Sequence, residues 1–294
     1  ILVSAEIFTN ALEHLGEKLK ISEGVTGSIF AAIGTALPET LVPLLALLSS
    51  HGDKETNHQV GVGAILGAPL MLSTLTMFIM AMSVIGHRGF GGHLKPEKTG
   101  LIRDLDFFIC SFIFAGIALF IPHTSELARG LIAFLMVFSY FIYILVTIRA
   151  SKKLVNEGHA TEASNPMFME RIGLPNNYLI ISIQLLIGLA LLVFGAKGFI
   201  SGIEETSSIL GISALILSML IIPIATELPE KVNSIFWIRK GKDTLAFGNI
   251  TGAMVFQGTL LPAIGILLTP WEPRKEVYLC IFITCLLYTS DAAD

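Results

Sequence analysis

Apolar runs of about 20 residues, each closed by a short polar stretch, follow one another along this chain. A run of that length lets an α-helix cross the roughly 30 Å hydrocarbon layer of a bilayer. Water cannot satisfy backbone groups there, so a span is a helix or a strand of a closed barrel. These runs are too long and too continuous for barrel strands. The expected spans are residues 1–15, 22–48, 60–82, 105–121, 127–148, 178–200, 210–236, 244–268 and 276–289. Composition agrees, with 53% hydrophobic and 14% charged residues and a mean hydropathy of +0.75. The chain reads as an all-α integral membrane protein whose partners are the lipid bilayer and, from the residues discussed below, inorganic cations, with no nucleic acid.

In such a protein the placement of Lys and Arg carries more information than the formal net charge of -4. The odd-numbered connections between spans hold thirteen Lys and Arg residues and the even-numbered ones four. The positive-inside rule then puts the odd connections in the cytoplasm and the N-terminus outside. Ile1 begins in mid-span with no basic leader or cleavage site, and the final run ends short in "TSDAAD", so a fragment is expected. Cys110, Cys280 and Cys285 lie in apolar runs without metal-ligand spacing and are expected to be small packing residues.

The chain also contains its own alignment. Residues Ala5 to Glu39 lie over Ala196 to Glu230 without a gap, at a constant offset of 191. Thr35 meets Thr226, and Leu37-Pro38-Glu39 meets Leu228-Pro229-Glu230. After a loop shortened by six residues, "GAILGAPLML" from Gly63 lies over "GNITGAMVFQ" from Gly248. Matches of Leu and Phe mean little in a membrane protein, but Thr-x-Leu-Pro-Glu and Gly-x-x-x-Gly in the same order indicate a duplication. The repeat implies five spans per half, with half of the first span and all of the tenth missing here. An odd number of spans inverts the second copy, giving two inverted-topology repeats: residues 1–148, a cytoplasmic linker at 149–175, and residues 176–294. Secondary transporters use this architecture, with the site at the midplane between the copies.

Each Thr-x-Leu-Pro-Glu falls near the middle of its span, where a charged side chain costs at least ~2.5 kcal/mol and so marks function. Thr35 and Glu39, like Thr226 and Glu230, are four apart and share a helical face. Pro38 and Pro229 withhold the N–H that would bond the carbonyls of Gly34 and Ala225. Each copy therefore offers a carboxylate, a hydroxyl and a freed carbonyl, all hard oxygen donors suited to Ca²⁺ or Na⁺. The Gly-x-x-x-Gly blocks are expected first of all to let helices approach closely.

These residues resemble the calcium/cation antiporter superfamily, particularly its prokaryotic sodium/calcium exchangers. That family carries Gly-Thr-Ser-Leu-Pro-Glu and Gly-Asn-x-x-Gly-Ser-Asn-x-x-Asn in each of two repeats; "GTALPE", "ATELPE", "GAILGAPLML" and "GNITGAMVFQ" are similar. The resemblance implies a secondary antiporter of the prokaryotic plasma membrane, exchanging Na⁺ for Ca²⁺ by alternating access, with no cofactor and no enzymatic reaction. It places cation ligands at Thr35, Glu39, Thr226 and Glu230, with Gln257 at the position of the last motif asparagine. Several family oxygens are replaced: Ala36 and Glu227 stand for the motif serine, Ala68 and Ala253 for the later serine, and Leu72 for the asparagine.

Glu227 is an additional acid three residues before Glu230, and Lys231 is four beyond Glu227. A pair between Glu227 and Lys231 at the edge of the site is one reading. The other makes Glu227 a cation ligand or proton carrier, which together with the lost serines and asparagines supports H⁺ rather than Na⁺ as the coupling ion. A transporter-like scaffold with enzymatic activity is a third reading, for which no nucleophile and base stand at a convincing spacing. Glu6, Glu13, Glu17, Glu204 and Glu205 are expected at the interface, and His51, Asp53 and His58 in a solvated loop.

Overall fold

Where the sequence is continuously apolar the backbone closes into helices. The computed structural model describes residues 2–18, 37–49, 53–96, 98–155, 165–227, 231, 234–235, 238–239, 241 and 243–290. In chain order the helices are α1 (Leu2–Lys18), α2 (Leu37–Leu48), α3 (Lys54–Met71), α4 (Met77–Arg88), α5 (Lys98–Ala118), α6 (Glu126–Val155), α7 (Phe168–Arg171), α8 (Tyr178–Leu210), α9 (Ala214–Thr226), α10 (Asp243–Leu268) and α11 (Lys275–Ser290). No strand occurs among the described residues. Among the described residues, four stretches are long and apolar enough to cross a membrane: 54–88, 126–149, 178–210 and 246–268.

A π-helical turn, Leu72–Thr76, joins α3 to α4 without a break, so Lys54–Arg88 is one rod. Its cause is local. Pro69 has no N–H to give, and the hydroxyls of Ser73 and Thr74 both donate to the Leu70 carbonyl, at 2.9 and 2.6 Å. Together they displace the regular ladder and leave a widened turn. At about 1.5 Å per residue the rod is roughly 50 Å long, so both ends leave the hydrocarbon layer.

The rod is longer than the expected span 60–82, and it changes the reading of two residues at its start. Asp53 is its N-cap, accepting from Thr56 N and Thr56 Oγ1 at 3.0 Å, and His58 lies within α3 rather than in a loop. The Thr56 N–H holds the Asp53 carboxyl below its ordinary range. His51 lies outside the described residues. The expected span 178–200 likewise continues to Leu210, through "SGIEETSSIL", because no proline interrupts it. Gly211 then turns left-handed at φ 65°, and Ser213 caps α9 by accepting from Ile216 N at 3.3 Å. Helix stop and helix start are thus compressed into "GIS".

Inside the bundle α3 packs most extensively on α9, across the two halves of the sequence. Gly63 and Gly67 make that approach possible. A Cβ at Gly67 would stand 2.1 Å from the Met219 carbonyl oxygen, and one at Gly63 2.6 Å from that of Leu215. This copy of Gly-x-x-x-Gly is a packing surface. A large apolar core joins α3, α4, α5, α6, α10 and α11, with Phe108, Phe112, Met136 and Trp271 fully buried. Along α6, Leu127, Leu131, Phe134, Phe138, Phe141 and Leu145 repeat at three or four residues and are exposed, as a lipid-facing stripe requires. Cys280 packs as expected and its Sγ lies 3.2 Å from Leu66 O, but Cys110 is exposed and fills no core position.

Candidate cation site

The rod, α2, α9 and α10 bring the duplicated blocks together. α2 packs against α3 and also touches α8, α9 and α10. Glu39 sits in the first turn of α2 and is 2% exposed. Thr226 ends α9, fully buried, with its hydroxyl donating to the Ile222 carbonyl at 3.0 Å. Gln257 is fully buried in α10, and neither amide atom has a hydrogen-bond partner among the described residues. A buried primary amide left in that state costs free energy unless something polar faces it. Thr35 and Glu230, expected as ligands beside Glu39 and Thr226, lie outside the described residues.

Glu227 is fully buried, and its Oε2 lies 3.1 Å from Lys231 Nζ, whose side chain is 3% exposed. Backbone bonds of helical spacing flank the pair: Glu227 N donates to Pro223 O at 3.0 Å, and Lys231 N donates to Glu227 O at 3.1 Å. The two side chains therefore stand one turn apart on the same face. Of the two readings of Glu227, the ion pair is the geometry observed.

Three positions at which the family resemblance expects another polar group are buried, and a fourth, Ala36, lies outside the described residues. Ala68, Leu72 and Ala253 are 1%, 0% and 0% exposed. Leu72 also opens the π turn, the first-repeat counterpart of Gln257.

Sequence reasoning missed another buried carboxylate, Asp104 of α5. Its Oδ2 accepts from Thr251 Oγ1 at 2.7 Å, and its Oδ1 accepts from Arg103 Nη2 and Nε at 2.9 and 3.1 Å. Thr251 belongs to "GNITG" of the second copy, so this bond ties the motif helix to the first half. The available signal was a carboxylate immediately before the run "LDFFICSF", which starts at Leu105. Also unforeseen was Arg129, at 4% exposed, which caps the C-terminal end of α10. It donates to Pro270 O at 2.8 Å, to Thr269 O at 2.6 Å, and to Ile266 O. A guanidinium there satisfies carbonyls that the helix end leaves open and matches the negative end of the helix dipole.

Ion pairs fasten the rod to the second half at both ends. Arg88 clasps Asp243 at 2.6 and 2.8 Å, while Asp243 also accepts from Lys95 N at 2.9 Å. Chiefly through the Arg88 guanidinium, the Asp243 carboxyl is held below its ordinary range. At the opposite end Glu55 meets Arg274 at 2.5 Å. Glu6, Glu17 and Glu205 are exposed, and the side chains of Glu13 and Glu204 lie outside the described ones.

Comparison with known proteins places this geometry. A family model described as sodium/calcium exchanger protein matches residues 1–149 and 180–290. The inner membrane protein YrbG of Escherichia coli (strain K12) is 26% identical over 280 residues, which cover 95% of this chain and 79% of that protein. Among solved structures, the H⁺/Ca²⁺ exchanger CAX superposes with a TM-score of 0.74 at 17% identity, covering 96% of this chain and 70% of that one. The sodium-calcium exchanger NCX_Mj superposes with a TM-score of 0.53 at 17% identity, covering 98% and 85%. The fold is therefore that of these transporters, consistent with the inverted repeat read from the sequence. The chain belongs to the sodium/calcium exchanger protein family, whose members are integral membrane cation antiporters.

Proposed function

We propose that the protein exchanges Ca²⁺ for Na⁺ by alternating access, with the cation held between the two repeats by oxygens of Thr35, Glu39, Thr226, Glu230 and Gln257. The thirteen-to-four distribution of Lys and Arg supports an N-terminus that faces the outside. The observation that carries this reading is the fully buried Gln257 amide, unmatched among the described residues, on a helix that touches the helix of Glu39. A cation bound by the amide oxygen would satisfy part of it, and hard oxygen ligands of this kind suit Ca²⁺. The test is Ca²⁺ uptake into proteoliposomes under an imposed Na⁺ gradient, with Glu39→Gln and Glu230→Gln as variants. Gradient-driven uptake in the wild type and its loss in both variants is expected. Uptake unchanged in a correctly folded Glu230→Gln protein would remove that residue from the site.

A proton-coupled exchange is the second reading, and the burial of Ala68, Leu72 and Ala253 favours it. Each stands where the family resemblance expects an oxygen or amide, and fewer such ligands disfavour a bound Na⁺. A pH gradient that drives Ca²⁺ uptake in the absence of Na⁺ would establish this coupling; no flux under that gradient would sink it.

A further inference from the structure

The internal repeat supplies a comparison for the ion pair at Glu227 and Lys231. At the constant offset of 191, Glu227 lies over Ala36 and Lys231 over Thr40. The first copy is uncharged at both positions and the second is charged at both, with opposite signs. The two charges are thus present or absent together, and the structure brings them to 3.1 Å with both side chains within 3% of complete burial. Taking two charges out of water is expensive, and the pair recovers that cost only while both members are present. In sequence the pair flanks Glu230, three residues to one side and one to the other, so it belongs to the motif at which the cation site is proposed above.

We propose that Lys231 is a tethered counter-cation: its ammonium permanently fills the monovalent-cation position that the Glu227 carboxylate creates. Glu227 then recruits no mobile ion, and the number of monovalent ions exchanged per Ca²⁺ is set by the remaining carboxylates alone. This inference rests on the cation-antiport reading above, with the site at the two glutamate motifs. It assigns Lys231 a role in coupling ratio rather than in binding Ca²⁺.

The charge moved in each cycle tests it. If one Ca²⁺ enters against a fixed number of monovalent ions, the steady Ca²⁺ accumulation ratio depends on membrane potential according to the net charge per cycle. One elementary charge alters that ratio roughly 50-fold per 100 mV. The measurement is accumulation in proteoliposomes clamped with K⁺ and valinomycin. In Lys231→Thr the bared Glu227 carboxylate takes up one further Na⁺ or H⁺, either of which carries one charge, so net inward charge per cycle falls by one. In Glu227→Gln the freed ammonium neutralises a neighbouring carboxylate and replaces one mobile ion, so net inward charge rises by one. Glu227→Ala with Lys231→Thr, which copies the first repeat, returns to the wild-type dependence.

Single variants that transport with the wild-type voltage dependence would overturn the proposal. Should neither single variant fold, the double variant still decides: a dependence one charge away from wild type would overturn it. Wild-type protein that shows no coupled Ca²⁺ accumulation under either a Na⁺ or a pH gradient would instead defeat the antiport reading itself.

Discussion

Gly63 and Gly248 occupy the same place in the two copies of Gly-x-x-x-Gly, yet alanine is expected to act in opposite directions at them. A Cβ at Gly63 would lie 2.0 Å from Ser218 Oγ, 2.6 Å from Leu215 O and 3.1 Å from Met219 N. The serine hydroxyl can turn aside, at the loss of its bonds to Leu215 O at 3.0 Å and Gln59 O at 3.3 Å. The Leu215 carbonyl is helix backbone and cannot, so α3 and α9 must part by about 0.8 Å to reach ordinary contact. Overpacking of this kind costs about 1–3 kcal/mol and the disturbed hydroxyl about 1 more, against a gain of about 0.5–1 from replacing glycine in a helix. The net loss for Gly63→Ala is about 2–3 kcal/mol. A Cβ at Gly248 meets nothing within 4 Å among the described residues, so Gly248→Ala retains the gain of about 0.5–1 kcal/mol. At roughly 2–4 °C per kcal/mol the two variants melt about 5–16 °C apart. Thermal unfolding of purified protein in detergent, read by size-exclusion fluorescence, checks this. A Gly63→Ala protein melting with the wild type, or a Gly248→Ala protein falling as far as Gly63→Ala, would refute the packing argument.

Arg129→Met strips the cap from α10 and leaves the carbonyls of Ile266, Thr269 and Pro270 without their donor, at a cost of about 3 kcal/mol in detergent unfolding. Arg129→Lys recovers less than half of it, because an ammonium lacks the fork that reaches three acceptors. Asp104 and Thr251 should show a coupling of roughly 1–2 kcal/mol in a double-mutant cycle with Asp104→Ala and Thr251→Val, and an additive pair would disprove their bond's contribution. Because the folded Asp243 carboxyl lies below its ordinary value of 3.8, its contribution is fully present above that pH and is lost as pH falls through the folded value. The stability gap between wild type and Asp243→Asn should therefore be flat at neutral pH and narrow in acid; a gap that widens in acid would reverse the assignment.

Much of this was written in the order of residues. Long apolar runs announce helices, and polar residues repeated at an offset of 191 announce the duplication and suggest where the proposed site lies. Boundaries were less legible where the deciding interaction is local but not apolar. The polar stretch after Ile200 was open to being a connection, and it is the absence of proline and the left-handed Gly211 that carry α8 to Leu210. Asp53 read as loop because a cap and a loop residue are the same residue type, distinguished by where its oxygen finds an N–H. Contacts between distant parts of the chain were not legible at all. Arg129 counted as one more basic residue flanking a span, though its partners are 137 to 141 positions away. Asp104 similarly becomes intelligible beside Thr251, 147 positions on.

The rod from Lys54 to Arg88 is held like a mast between two stays of unequal exposure. Arg88 and Asp243 have side chains 23% and 7% exposed, whereas Arg274 and Glu55 are 37% and 52% exposed. Dissolved salt screens an exposed pair far more than a sheltered one, over about 8 Å at physiological ionic strength. Raising the salt concentration therefore slackens the stay at Glu55 more than the one at Arg88, so the end of the rod at Glu55 is the one whose fastening responds to the composition of the medium it faces.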